Sequence, residues 1–109
     1  MKDDLLKIIS FYGVLPQLKQ FNEEAYELIE AIITKEFMYQ SSNTTNSMDE
    51  FNLEHIVEEI ADVLNMVEQF MYYYDIDIKD VIEIKHQKID RTISRIEEGY
   101  YDKWDLERY

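Results

Sequence analysis

Residues 22–30 read NEEAYELIE, and residues 58–64 read EEIADVL. In each segment two carboxylates stand three residues apart, beside apolar residues at helical spacing. This pattern predicts two amphipathic helices that hold acidic side chains at the edge of an apolar face. Four carboxylates on two packed helices would form a site for a hard divalent cation. The rest of the chain is expected to hold these two helices together.

The length predicts one domain over residues 1–109, and the lack of a signal-peptide or membrane-span pattern predicts that it is soluble and cytoplasmic. Hydrophobic residues make up 46% of the chain, which is typical of a folded protein. The 24 acidic and 11 basic residues give a net charge of −13, which argues against a nucleic-acid-binding surface. The absence of cysteine excludes disulfides, thiolate zinc sites and cysteine nucleophiles. No segment has the pattern of a signal peptide or a membrane span, so no membrane partner is expected.

The periodicity predicts an all-α fold, with four helices and no sheet. The first helix is expected at about residues 3–12, and the second ends at about residue 39, with Pro16 as one of its early residues. The third helix is expected to extend to about residue 74, and the fourth to span about residues 78–98. The third helix could begin at Ser47 or at Asn52. Gly13 and Gly99 are expected to end the first and fourth helices, and Asp77 to cap the fourth.

Each helix carries an apolar stripe that is predicted to be buried. The stripes comprise Leu5, Leu6, Ile8, Ile9 and Tyr12 in the first helix, Leu18, Phe21, Ala25, Leu28, Ile29 and Ile32 in the second, Leu53, Ile56, Val57, Ile60, Leu64, Val67 and Met71 in the third, and Val81, Ile82, Ile89, Ile93 and Ile96 in the fourth. The second and third helices are expected to pack through these stripes, with the acidic residues at their border.

Two segments lie outside the predicted helices. Residues 40–47 are a polar, low-complexity connection, expected to be a solvated loop. A loop of this length, about residues 40–49, could also act as a lid over a site. The aromatic-rich tail, residues 100–109, is expected to pack on the domain or on a partner subunit.

The acidic residues near the core fall on two helical strips. At about 100° per residue, Glu24 and Glu27 share a strip with Gln17, Gln20 and Ala31, and Glu59 and Asp62 share one with His55 and Met66. In a shared space, each pair of these carboxylates would repel by about 3 kcal/mol at a separation of 5 Å and an effective dielectric of 20. A cation or raised pKa values would therefore be needed. Oxygen ligands favour Mg²⁺, with Mn²⁺ as a substitute. Other acidic residues are assigned to solvated faces, namely Glu30, Glu36, Glu50, Glu54, Glu68 and Glu83.

A di-iron centre is the nearest chemical alternative. It requires two Glu-x-x-His pairs on separate helices. Only Glu83 and His86 have this spacing, because Asn52 stands where a carboxylate would precede His55. Both histidines are expected to be exposed or capping residues rather than ligands.

The fourth helix carries most of the cations near the carboxyl end of the chain. Lys85, Lys88, Arg91 and Arg95 recur every three to four residues, which places them near one helix face. They could pair within the helix, with acidic neighbours such as Asp90. Alternatively, they could form a cationic rim for phosphate oxygens.

The two acidic motifs resemble the signature of the MazG-like family of all-α nucleoside triphosphate pyrophosphohydrolases. That signature is Glu-Glu-x-x-Glu on one helix and Glu-x-x-Asp on a later one, and residues 23–27 and 59–62 match it. Residues 12–14, 17–18 and 88–91 also resemble the family, and the similarity spans about residues 12–101. The resemblance implies a domain core at about residues 12–99. The separation of the motifs is longer than usual because of the Ser/Thr/Asn connection.

The resemblance implies Mg²⁺-dependent cleavage of an NTP or dNTP between the α and β phosphates, as in nucleotide-pool house-cleaning. It implies that the Mg²⁺ ligands are Glu24, Glu27, Glu59 and Asp62. Glu23 could be a general base, a residue behind the ligands, or part of a surface salt bridge. The candidate substrate-binding residues are Lys85, Lys88, Arg91 and Asn65, with Phe21, Tyr26 and Trp104 as candidate base contacts.

The resemblance also implies a homodimer or homotetramer in which neighbouring subunits complete the nucleotide pocket. The alternative from another class is a non-catalytic, acidic helical interaction protein, such as a DNA mimic or a regulatory subunit. Both hypotheses predict acidic helices. Only the enzyme hypothesis predicts that the charge is focused at the four named ligand positions.

Overall fold

The computed structural model describes residues 1–39 and 46–99 of the chain. These residues form four α-helices and no strand: α1 (Lys2–Tyr12), α2 (Val14–Tyr39), α3 (Asn46–Tyr73) and α4 (Ile78–Glu97). The predicted all-α class is thereby confirmed. Residues 40–45 of the possible lid (about 40–49) and the aromatic tail lie outside the described residues, and residues 46–49 belong to α3. In the part of the chain that is described, no helix combines the length and the apolar character needed to cross a membrane.

Gly13 separates α1 from α2, as predicted. Its φ of 91° lies in the left-handed region, where a side chain would be strained, and its N–H donates to the carbonyl of Ile9 at 2.8 Å. Pro16 is the third residue of α2. The first-turn N–H groups of a helix have no partner inside the helix, so the missing N–H of proline costs little there.

The ends of α3 and α4 are also set by local chemistry. α3 begins at Asn46, one residue before Ser47, so the connection between α2 and α3 is shorter than predicted. After α3, Asp75 takes a left-handed conformation with φ of 54°. The carboxylate of Asp77 accepts a hydrogen bond from the backbone N–H of Lys79 at 2.9 Å, which confirms the predicted cap of α4.

The chain divides into two compact units, Met1–Asp75 and Ile76–Tyr109. In the first unit α2 and α3 make the most extensive helix contact, and α1 packs mainly on α3. The helices α2 and α3 run antiparallel, because Gln17 lies opposite Gln69 and Glu27 lies near Glu59. Ile9 of α1 is completely buried.

The predicted packing of α2 against α3 through their apolar stripes is seen only in part: Met71 is buried and Phe21, Leu28 and Ile56 are half-buried, but most of the other stripe residues are exposed. Among the side chains of these two helices whose burial is described, most of the buried ones lie on or next to the strips that carry the carboxylates: Gln17, Ala31, Asn52, Glu59, Met66 and Gln69. Ile29, Val57 and Leu64 of the apolar stripes are 54%, 64% and 52% exposed. A three-helix unit in which α1 has only 11 residues has too little apolar surface to cover both stripes. Of the four predicted ligands, Glu59 is therefore buried at the helix interface and Glu24 is half-buried, whereas Glu27 and Asp62 are exposed.

The predicted buried faces of α1 and α4 are corrected in the same way. In α1, Leu5 and Ile9 are buried, but Ile8 and Tyr12 are exposed. No residue of α4 is buried, and Ile89 and Ile93 are nearly half exposed. The apolar stripe of α4 lines an open groove along that helix.

Candidate metal centre

Three carboxylates converge where α2 packs on α3. Glu24 and Glu27 are three residues apart on α2, so they share one face, and Glu59 reaches the same space from α3. One oxygen from each of them lies within 4.8 Å of the others. Opposite ligand oxygens of an octahedral Mg²⁺ are about 4 Å apart. The three oxygens are therefore spaced nearly as closely as the ligands of one cation.

Two of these carboxylates have a buried oxygen without a hydrogen-bond partner. These atoms are Oε2 of Glu24 and Oε2 of Glu59, and the Glu59 residue is only 7% exposed. A buried anionic oxygen without a donor or a cation is costly. A divalent cation would satisfy both atoms, and a set of carboxylate oxygens suits a hard cation. The residues present thus fit a metal ion.

The pKa of Glu24 also reflects the cost of placing charged carboxylates close together. Burial raises the pKa of Glu24 above its ordinary value, and the negative charges of Asp62 and Glu27 raise it further. A hydrogen bond from Gln20 acts in the opposite direction and partly stabilises the charged form. In the absence of a cation, Glu24 therefore holds a proton more readily than an ordinary glutamate.

Asp62, the fourth predicted ligand, lies beside this cluster. Its carboxylate is close enough to Glu24 to raise the pKa of that residue, but it is not part of the set within 4.8 Å. Asp62 is exposed and lines a cavity of about 480 Å³ together with Glu24 and Asn65. The structure therefore brings three of the four predicted ligands together and places the fourth next to Glu24.

Two glutamines next to the cluster have roles that the sequence analysis did not assign. The Gln20 amide donates to Oε1 of Glu24 at 2.7 Å. Gln17, one turn earlier, donates to Oε1 of Gln69 at 2.7 Å, and both residues are buried. The signal in the sequence is their spacing, because Gln17 and Gln20 stand seven and four residues before Glu24 on the same strip.

His55 is exposed, as predicted, but it also approaches the cluster. Its Nδ1 lies 3.8 Å from Oε1 of Glu59, one helical turn later, and its side chain is 45% exposed. This separation is longer than a hydrogen bond. His55, Glu27 and Glu59 line a second cavity of about 450 Å³.

The other predicted site residues lie elsewhere. Glu23 is exposed and lines a shallow cavity with Tyr26 and Glu27. Lys85, Lys88 and Arg91 belong to α4 in the second unit, where the two lysines line the apolar groove of that helix.

The candidate base contacts lie in different environments. Phe21 packs edge-to-face on Phe70, with ring centroids 6.0 Å apart. Tyr26 is 60% exposed, and its hydrogen bond to Glu30 raises its pKa. Trp104 lies outside the described residues.

Comparison with known proteins gives one match. The family model of the MazG nucleotide pyrophosphohydrolase domain matches residues 15–95. This range covers most of the chain and contains Glu24, Glu27, Glu59 and Asp62. No curated protein and no solved structure matches the chain.

Proposed function

We propose, because this chain belongs to the MazG nucleotide pyrophosphohydrolase domain family, that it hydrolyses an NTP or dNTP to the monophosphate and pyrophosphate. The observation that carries the proposal is the convergence of Glu24, Glu27 and Glu59 within 4.8 Å, with two buried oxygens that lack a partner. A solvated acidic surface would spread its carboxylates apart in water. Here three carboxylates from two packed helices converge, and one of them, Glu59, is buried, which supports a metal centre.

The proposed cofactor is Mg²⁺, with Mn²⁺ as a substitute, bound by Glu24, Glu27, Glu59 and Asp62. All four donors are carboxylates, and such ligands favour these hard cations. When bound, the cation supplies neutralisation of phosphate charge and a lower pKa for a water molecule. Asp62 is exposed, so its side chain is free to turn toward a cation held by the other three residues.

The proposed reaction breaks one phosphoanhydride bond. The oxygen of a water molecule bonds to the α-phosphorus, while the bond from the α-phosphorus to the α–β bridging oxygen breaks. The bridging oxygen leaves with the electron pair as part of pyrophosphate, and a proton of the water passes to a base. Glu23 is a candidate for that base or for a group that orients the ligands, since it adjoins Glu24 on α2.

Several polar residues are proposed to hold the substrate. Asn65 lines the cavity that also contains Glu24 and Asp62, so its amide can contact a nucleotide bound at the cluster. Lys85, Lys88 and Arg91 on α4 are proposed as phosphate contacts because α4 concentrates cations in an acidic chain.

A homodimer or homotetramer is proposed from the exposed apolar stripes of α2 and α3. Side chains such as Ile29, Leu53, Val57 and Leu64 are more than half exposed in the single chain. Contiguous apolar surface on this scale is typical of protein interfaces. A second copy presenting the same stripe would bury it symmetrically. Oligomerisation would thus supply the apolar contact that the three-helix unit lacks.

The experiment that tests the proposal is product analysis. The protein is incubated with a panel of NTPs and dNTPs in Mg²⁺, and the products are separated by ion-exchange chromatography. The proposal expects equal amounts of monophosphate and pyrophosphate, and no product when Mg²⁺ is chelated. Diphosphate with orthophosphate would contradict the bond assignment. The absence of any turnover would favour the alternative of a non-catalytic acidic interaction protein.

A further inference from the structure

The carboxylate cluster lies between two cavities of the first unit that differ in chemistry. Glu24 and Asp62 line the first cavity, of about 480 Å³, which extends toward α1. Glu27 and Glu59 line the second cavity, of about 450 Å³, which extends toward the beginning of α3. A substrate that crosses the cluster therefore has two different ends to occupy.

The cavity toward α1 suits the nucleoside. Its walls include the apolar or aromatic side chains of Ile8, Tyr12 and Met66. Its polar groups are mostly amides, from Gln17, Gln20 and Asn65. A nucleobase has apolar faces and an edge of donors and acceptors, and apolar walls with a few amides are the usual surroundings of such a ligand.

The cavity toward the beginning of α3 has a different lining. It has no large apolar side chain among its lining residues, and its potential donors are Thr34, Asn52 and His55. Pyrophosphate has only acceptor oxygens at its surface when it is fully ionised, so it requires donors and a cation. Glu59, whose buried Oε2 has no partner, also lines this cavity and would hold the cation at its inner end.

We propose that the cavity lined by Thr34, Asn52 and His55 receives the β and γ phosphates of the substrate and then the pyrophosphate that leaves. This inference rests on the proposed function, and it fixes the direction in which the nucleotide lies across the cluster. The α-phosphorus lies at Glu24, Glu27 and Glu59, and the nucleoside extends toward α1. Glu30 also lines the pyrophosphate cavity, so its charge makes binding of the anion dependent on the divalent cation.

The test measures pyrophosphate binding and base selectivity in the same variants. Calorimetric titration gives the dissociation constant of pyrophosphate in saturating Mg²⁺, and steady-state assays give the ratios of kcat/KM among the four dNTPs. His55→Ala and Thr34→Val each remove one donor from the cavity. His55→Gln keeps a donor at that position. Asn65→Ala changes the opposite cavity, and Ser10→Ala removes an exposed hydroxyl of α1 as a control.

His55→Ala and Thr34→Val are expected to weaken pyrophosphate binding by about tenfold each, because a hydrogen bond to a charged group is lost. Base ratios should stay unchanged in both variants, and His55→Gln should restore most of the affinity. Asn65→Ala should change the base ratios and leave pyrophosphate binding unchanged, and Ser10→Ala should change neither.

Two results would overturn the inference while leaving the proposed function standing. In the first, the wild type turns over dNTPs but His55→Ala and Thr34→Val bind pyrophosphate normally. In the second, those two variants change the base ratios while Asn65→Ala weakens pyrophosphate binding, which would reverse the direction of the substrate. A wild type that neither hydrolyses nucleotides nor binds pyrophosphate would instead contradict the proposed function itself.

Discussion

Replacing Glu59 by Gln should stabilise the metal-free protein and abolish its stabilisation by Mg²⁺. Glu59 is only 7% exposed, and its Oε2 has no hydrogen-bond partner. Glutamine keeps the size of the side chain and removes its charge. Glu58→Gln is the matched control, because Glu58 is the adjacent residue, is exposed and is not part of the cluster.

The magnitude follows from the separation of the carboxylates. Two unit charges 4.8 Å apart repel by about 3.5 kcal/mol at an effective dielectric of 20, and by about 0.9 kcal/mol in water. The raised pKa of Glu24 lets that residue take up a proton, and Glu27 is exposed to screening solvent. Both effects reduce the repulsion that Glu59→Gln can remove. The free energy of unfolding should therefore rise by about 1–2 kcal/mol.

The assay is thermal unfolding, followed by circular dichroism, of the wild type and both variants. A change of 1 kcal/mol moves the Tm of a domain of this size by about 4–8 °C. In EDTA, the Tm of Glu59→Gln should be higher than that of the wild type, and the Tm of Glu58→Gln should equal that of the wild type. At a Mg²⁺ concentration about 100 times the Kd, the wild type should gain about 2.7 kcal/mol. Glu58→Gln should keep that gain, and Glu59→Gln should lose it.

The stability prediction has two clear contradictions. If Glu59→Gln melts at or below the wild type in EDTA, the carboxylates do not repel one another as their separation indicates. If Mg²⁺ raises the Tm of Glu59→Gln as much as that of the wild type, Glu59 is not a ligand. Either result would require another account of the unpartnered oxygen of Glu59.

Three further predictions use other parts of the structure. Because the pKa of Glu24 is raised, the folded state binds more protons than the unfolded state just above pH 4.5, and the stability of the metal-free protein should fall as the pH rises through that window. Urea unfolding at several pH values should show this slope in the wild type. An equal slope in Glu24→Gln would contradict the prediction. Gln17→Leu should lower the free energy of unfolding by about 1–3 kcal/mol, because it leaves the buried Oε1 of Gln69 without its donor. The double variant Gln17→Leu/Gln69→Leu should lose less than the sum of the two single variants, which a double-mutant cycle by urea unfolding measures. Additive losses would show that the pair is not coupled. Leu64→Asp should shift the protein from an oligomer to a monomer in sedimentation velocity, while its helical circular dichroism signal remains. Leu15→Asp should leave the oligomer intact, because Leu15 is exposed but lies outside the apolar stripes. A wild type that sediments as a monomer would rule out the proposed assembly.

The local elements of the fold could be predicted because their causes lie within a few residues. Gly13 ends α1 and Asp77 caps α4 through contacts with near neighbours in the chain. The spacing of Glu24 and Glu27 likewise fixes that both lie on one face of α2. Such signals depend on helix geometry and not on what the helix meets.

The helix interface could not be predicted in this way. Periodicity shows that α2 and α3 have apolar stripes, but it does not show which neighbour covers them. In the structure Ile29 and Val57 remain exposed, and α2 meets α3 through the strip of amides and carboxylates. The pair of Gln17 and Gln69 is separated by 52 residues, and nothing local to either glutamine indicates the other. His55 differs, because it stands four residues before Glu59 on the same strip, and the spacing alone places both on one face of α3.

Hydrolysis of the best dNTP in ¹⁸O-labelled water shows which phosphorus the water attacks, because mass spectrometry of both products reveals where the label has entered. If the carboxylate cluster directs water to the α-phosphorus of a nucleoside triphosphate, the label enters the monophosphate and the pyrophosphate is unlabelled. In that case Glu59→Gln abolishes both products, and Glu58→Gln does not. Label in the pyrophosphate, or full activity in Glu59→Gln, would rule out this role of the cluster.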